Sequence, residues 1–141
     1  MLYIANDHAG LELKMQLIAF LRTQNIAVQD LGTDSPNSCD YPDYAHLLAQ
    51  NVAEHPENLG ILICGSGVGV SIAANRHKNV RAALCWLPQI ATLARQHNDA
   101  NVVCLPARFI DAGLAQEVVT QFLATAFEGG RHQTRVSKIE L

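Results

Sequence analysis

The chain is predicted to adopt a three-layer, Rossmann-like α/β fold: a five-stranded, mostly parallel sheet with helices on both faces. Three observations predict it. Short apolar runs alternate with helical patterns along the whole chain. The helical stretches span about 10–15 residues, which suits right-handed βαβ crossovers. Polar and glycine residues gather just beyond the apolar runs, where parallel sheets bind their ligands.

The elements follow in order. Leu2–Asn6 is an apolar first strand. Residues 11–24 follow as a helix, with Leu11, Met15, Ile18 and Leu21 near helical spacing. Residues 27–30 make a short second strand. The segment 32–42 is rich in Gly, Pro, Asp, Asn and Ser and reads as a surface loop. Residues 44–54 form a helix that stops near Pro56. Strand three is 60–64, and its helix starts at Gly69 or Val70 and runs to about residue 76. Segments 80–85 and 102–105 are strands four and five, with a helix over 89–96 between them. Asp111 caps a helix that reaches about residue 126, because its carboxylate can accept free N–H groups of the first turn. After Gly129-Gly130 a last helical segment covers about 133–139. Residues 1–141 are read as one domain, with a C-terminal helical segment from about residue 130.

Bulk properties narrow the function classes. With 141 residues and 49% hydrophobic content, the chain can bury a proper core. A net charge of −3 with no long basic run argues against a nucleic-acid partner. No apolar stretch reaches the roughly 18 residues of a membrane span, and no charged leader with an apolar core opens the chain. Cys39, Cys64, Cys85 and Cys104 lie far apart without a CxxC pair, which suits a reducing cytoplasm rather than disulfides or zinc.

The densest chemical signal is Ile61-Leu62-Ile63-Cys64 running into Gly65-Ser66-Gly67-Val68-Gly69. The strand delivers a thiol to its C-terminal end, and the glycine turn bares backbone N–H groups at a helix start. A helix N-terminus favours anions and stabilises a nearby thiolate, so one turn can supply a base and an oxyanion site. Dinucleotide binding is excluded on two counts. Val70 stands where the fingerprint needs glycine, and no Asp or Glu occurs between Val70 and Asn98 to hold a ribose. A Walker loop fails for lack of Gly-Lys-Ser/Thr, and a cysteine-phosphatase loop fails because Val70 replaces its arginine. Cys85 and Cys104 lack a following glycine turn and read as core.

Other polar groups keep two readings each. Asp7-His8, after strand one, is a loop cap or a catalytic carboxylate beside an imidazole. His97, with Asn98 and Asp99, ends a helix, where it complements the dipole or does chemistry. Arg131 and Arg135 fall on one helix face at i and i+4, as a solvated charged face or a fork for phosphate. His46, His55, His77 and His132 show no metal spacing, and no metal is expected. If strands one and three are neighbours, Asp7-His8 and the glycine turn share one crevice.

Taken together, these residues resemble the ribose-5-phosphate isomerase B family, which includes the galactose-6-phosphate and allose-6-phosphate isomerases. The resemblance is carried by the blocks 6–10 (Asn-Asp-His-Ala-Gly), 31–33, 40–45, 64–69 with 72–75, 95–101, and 128–136 around Arg131 and Arg135. It implies aldose–ketose isomerisation of ribose 5-phosphate and ribulose 5-phosphate through an enediolate, with no metal or organic cofactor, within carbohydrate metabolism. By position, Cys64 would be the base, Asp7 and His97 would assist ring opening, and Ser66 would pass protons between substrate oxygens. The backbone of Gly65, Gly67, Val68 and Gly69 would hold the enediolate. His8, Arg131, Arg135 and Arg108 would hold the phosphate, and Tyr41 and Asn98 the sugar hydroxyls. The resemblance also implies a homodimer, or a tetramer, with the site shared between subunits, so that His97, Asn98 and Arg108 act across the interface. Ser66 stands where many relatives carry threonine, which keeps the hydroxyl. A glutamate-using branch has its base at the place of Val70, so this chain sits with the cysteine users. The block Cys85-Trp86-Leu87-Pro88-Gln89 is less typical. The alternatives are a six-carbon sugar-phosphate isomerase with the same machinery, or a non-catalytic sugar-phosphate-binding subunit.

Overall fold

In the computed structural model, which describes residues 1–141, five strands form a sheet in the order β2-β1-β3-β5-β4. The elements are β1 (Leu2–Asn6), α1 (Leu11–Thr23), β2 (Gln29–Asp30), α2 (Tyr41–Ala53), β3 (Leu59–Cys64), α3 (Val68–Ala74), β4 (Ala82–Leu84), α4 (Pro88–Asn98), β5 (Val102–Pro106), α5 (Ala112–Ala124) and α6 (Arg131–Val136). Every neighbouring pair is parallel, a stricter arrangement than the mostly parallel sheet expected. The central strands are buried on both faces, as parallel strands between helical layers must be.

Alternation along each strand divides the core in two. Leu2, Ile4, Ile61, Ile63, Val103 and Leu105 face α1, α4 and α5. Tyr3, Ala5, Leu62, Cys64, Val102 and Cys104 point the other way, toward α2 and α3. The chain goes from β1 outward to β2, then returns past β1 to β3. The order therefore reverses between β1 and β3, and Asn6 pairs with Ile63 at the mouth of that crevice. The conditional placement of Asp7-His8 beside the glycine turn is thus met.

Several boundaries differ from expectation for local reasons. The second strand keeps only two residues; at the sheet edge only Tyr3–Gln29 and Ile4–Asp30 pair. α2 starts at Tyr41 rather than 44, because Pro42 in a first turn loses no needed N–H. β4 shrinks to Ala82–Leu84, a half-buried edge. α6 starts at Arg131 rather than 133, after Gly129 (φ 68°) and Gly130 (φ 56°). A built Cβ on either glycine meets nothing within 4 Å, so backbone conformation alone asks for glycine there. Asp111 caps α5 as expected, accepting from the Leu114 N–H at 2.7 Å. A short 3-10 turn over His8–Gly10 was not foreseen. No helix is long and apolar enough to cross a membrane.

Candidate active site

The crevice at the β1/β3 reversal opens into a pocket of about 430 Å³ lined by Asp7, His8, Tyr41, Cys64, Gly65, Ser66, Gly69 and Arg108, with Ala9 and Phe109 at its walls. Cys64 ends β3 and is buried, and the Gly67 N–H donates to its Sγ at 3.2 Å. Gly67 turns the chain there with φ 73°, a left-handed conformation that side chains rarely adopt. The Val68 N–H is committed to Ser66 Oγ at 3.3 Å, which leaves the Ser66 hydroxyl hydrogen free to donate. The amides of Gly65, Ser66, Gly69 and Val70 donate to no group of the chain. One short turn therefore holds a sulfur against an amide and keeps further amide donors unspent, as a site for developing negative charge requires.

Side chains from three other elements complete the pocket. Asp7 is buried and its Oδ1 accepts from the Ala9 and Gly10 N–H groups at 3.0 and 3.3 Å, so one oxygen serves as a cap. His8 is half-buried and its Nδ1 accepts from the Cys39 N–H at 3.2 Å. Tyr41 lies flat against the glycine turn: a Cβ on Gly69 would come within 2.6 Å of its ring. Arg108 crosses Gly65 from the end of β5, its Nη1 3.0 Å from a built Cβ, and its N–H donates to the Gly65 carbonyl at 3.0 Å. Expected to reach across an interface, Arg108 instead lines the pocket of its own chain, because β5 lies next to β3 and both strands end at this rim.

Four predicted residues lie elsewhere on the chain. His97, in the last turn of α4, stacks on the buried His132 of α6, with ring centroids 4.3 Å apart and planes 14° from parallel. Asn98 faces a separate cleft with Asn75, His77 and Arg81. Arg131 and Arg135 project from α6 as an exposed i, i+4 pair, the geometry read from their spacing. The Glu128 N–H donates to the Gln96 carbonyl and ties the segment before α6 to α4.

His97, Glu128 and His132 bring metal-type donor atoms within 4.8 Å of one another. The lone pairs of the two stacked rings lie in nearly parallel planes and do not converge on one ion. The His132 pKa is held below the usual histidine value by desolvation, then by His97 and Arg131, against a raising effect of Glu128. Burial pushes the Cys85 thiol up to about 12 and raises Cys104 well above the usual thiol range, so neither is poised to ionise.

Sequence reasoning missed Phe109, Ala9, Cys39 and His132 as parts of these surroundings. Glu128 and His132 do carry a signal, an i, i+4 spacing that begins three residues before that of Arg131 and Arg135. The Cys39 contact spans 31 residues and carries none.

The ribose/galactose isomerase family model matches residues 2–139. The chain is 53% identical over 139 residues to the probable ribose-5-phosphate isomerase B of Mycoplasma pneumoniae, covering 98% of this chain and 91% of that one. The solved ribose 5-phosphate isomerase of Thermotoga maritima superposes with a TM-score of 0.96 at 50% identity, over 99% of this chain and 96% of that one. The ribose-5-phosphate isomerase B of Mycoplasma genitalium, solved with ribulose-5-phosphate bound, gives 0.95 at 48% identity, over 98% and 92%. Near-complete coverage in sequence and backbone shows that this chain belongs to the ribose/galactose isomerase family.

Proposed function

We propose that this chain is an aldose–ketose isomerase that interconverts ribose 5-phosphate and ribulose 5-phosphate. The observation that carries the reading is the Cys64 sulfur, held by the Gly67 N–H at 3.2 Å beside amides with no partner, in a crevice that also holds Asp7, His8 and Arg108. A C–H next to a carbonyl is weakly acidic, so its removal needs both a positioned base and preorganised donors for the oxyanion. Cys64 as thiolate takes the proton from C2 of the open-chain aldose, and the electron pair moves to the carbonyl oxygen as a cis-enediolate. Ser66 carries a proton between the two substrate oxygens, and the Cys64 thiol returns its proton to C1. The Gly67 N–H is spent on sulfur and that of Val68 on Ser66, so the enediolate falls to the remaining free amides of the turn, those of Gly65, Ser66 and Gly69. These steps balance with protein groups alone.

Asp7 and His97 assist ring opening in this reading, Tyr41 and Asn98 hold sugar hydroxyls, and His8, Arg108, Arg131 and Arg135 hold the phosphate. His97, Asn98, Arg131 and Arg135 do not line the Cys64 pocket of their own chain. A homodimer in which a second copy brings those residues to the pocket accounts for the division. Exposed Val68, Ile72 and Phe109 beside the site supply apolar surface for such an interface. We further infer that residues 1–141 act as one domain with α6 as its phosphate arm. Four unpaired thiols support a reducing cytoplasm.

The test is purified protein assayed against ribose 5-phosphate, allose 6-phosphate and galactose 6-phosphate in heavy water. Interconversion of the five-carbon pair with solvent label at carbon is expected, and Cys64→Ala should abolish both while still binding the sugar phosphate. Turnover of only a six-carbon substrate would reassign the enzyme. Absence of all turnover would leave a binding subunit.

A further inference from the structure

His8 meets the backbone of a loop far away in sequence, where the Cys39 N–H donates to its Nδ1 at 3.2 Å. A backbone amide has only a hydrogen to offer, so the nitrogen opposite it must present a lone pair. The proton of the neutral ring then sits on Nε2, on the far side from the loop. We infer that the Cys39 amide is a positioning group that holds His8 as the Nε2–H tautomer and so turns a donor, not a lone pair, toward the substrate phosphate. The inference rests on the phosphate role proposed above for His8. A phosphate dianion offers acceptor oxygens almost exclusively. A ring nitrogen without hydrogen would repel it, whereas Nε2–H gives a charge-assisted hydrogen bond.

The loop holds that amide in place through a chain of contacts starting in the core. Lys14 is completely buried, and its ammonium donates to the Thr33 carbonyl at 2.6 Å. It also pairs with Asp30 at 2.9 Å and Asp34 at 3.0 Å. Asn6 Nδ2 donates to the same Thr33 carbonyl and to that of Asp7, tying the loop to the end of β1. The Ser35 N–H then bonds Thr33 Oγ1, and the Asn37 N–H bonds Ser35 Oγ, both at 3.1 Å. From Tyr41 onward α2 fixes the other end. Cys39 is thus suspended between a buried ammonium and a helix start. Its thiol lies 3.8 Å from Nδ1, a weaker contact than the amide makes.

The tautomer is read by long-range proton–nitrogen NMR of the protein without substrate, at neutral pH. A pyridine-like Nδ1 and a protonated Nε2 are expected for His8; a proton found on Nδ1 would overturn the inference. Cys39→Pro removes the N–H, and Cys39→Ala keeps it while deleting the sulfur. With ribose 5-phosphate, the proline variant should raise KM about tenfold with kcat within about twofold, while the alanine variant leaves both within about twofold. An alanine variant as impaired as the proline one would assign the effect to the thiol and refute the amide. If Cys39→Pro does not fold, the NMR result on the unaltered protein and the alanine variant decide alone. A protein that turns over no sugar phosphate yet shows the Nε2–H tautomer would sink the proposed activity without touching the lock.

Discussion

Replacing Gly69 with alanine should damage activity while sparing the fold, and the structure supplies the size of the effect. A Cβ built there lies 2.6, 2.7 and 2.9 Å from Cζ, Cε2 and Cε1 of the Tyr41 ring. Ordinary carbon–carbon contact is about 3.5–4.0 Å, so the ring must retreat by about 1 Å. It can do so, because Tyr41 is 40% exposed and the pocket lies open beside it. The backbone raises no objection: Gly69 is within α3 and has no positive φ, so alanine there gains up to about 1 kcal/mol of helix propensity. The expected change in stability is within about 1 kcal/mol, read from urea denaturation. A group displaced by about 1 Å from productive geometry costs up to about a hundredfold. We therefore expect kcat/KM for ribose 5-phosphate to fall about ten- to a hundredfold. A double-mutant cycle isolates the cause: once Tyr41→Ala has removed the ring, Gly69→Ala should cost less than about twofold more. Fully additive losses, or unchanged kcat/KM in the single variant, would show that the ring does not sit against this turn. A loss of stability beyond about 3 kcal/mol would show that it cannot yield.

Further expectations follow from the same geometry. Mixed dimers of Cys64→Ala with His97→Asn chains should recover activity that neither parent has, because one of the two sites regains both residues; no recovery in activity assays of co-expressed chains would place the site within one chain. Arg135→Ala should chiefly raise KM, and unchanged steady-state kinetics would remove it from the phosphate end. Iodoacetamide should label Cys39 and Cys64 before Cys85 and Cys104, whose ionisation is suppressed by burial, with substrate slowing only the Cys64 reaction in peptide mass spectra. His77 and His132 both titrate below the usual 6.5 in the folded chain, chiefly through desolvation and then a neighbouring histidine. Their contribution is therefore fully present above pH 6.5 and lost as pH falls through the folded values, so denaturation midpoints should drop between pH 7 and 5. His132→Gln should flatten part of that drop.

Most of the layered architecture was legible because it depends on local pattern. The apolar runs ending at Asn6, Cys64 and Pro106 are strands wherever the sheet places them, and the helices between them have room only for parallel crossovers. The glycine turn was legible for the same reason: a thiol followed at once by glycines describes a strand-to-helix corner. Boundaries were misread where one residue changed the local balance, as with Pro42, which opens α2 instead of ending a loop. The choice of phosphate and ring-opening roles came from resemblance, since the spacing of Arg131 and Arg135 and the place of His97 at a helix end fit an ordinary solvated surface equally well.

By itself the sequence determined the alternation of strands and helices, the thiol at the corner, and the i, i+4 arginine pair, all set by interactions within a few residues. Only the tertiary structure decided the strand order that puts Asp7 and His8 beside Cys64, the crossing of Arg108 over Gly65, the contact of Cys39 with His8, and the separation of His97 and α6 from the pocket. Those are packing outcomes between segments that lie about 30 residues or more apart in the chain. Each is fixed by which apolar faces bury each other and by which backbone groups find partners, quantities that no local pattern of residues encodes.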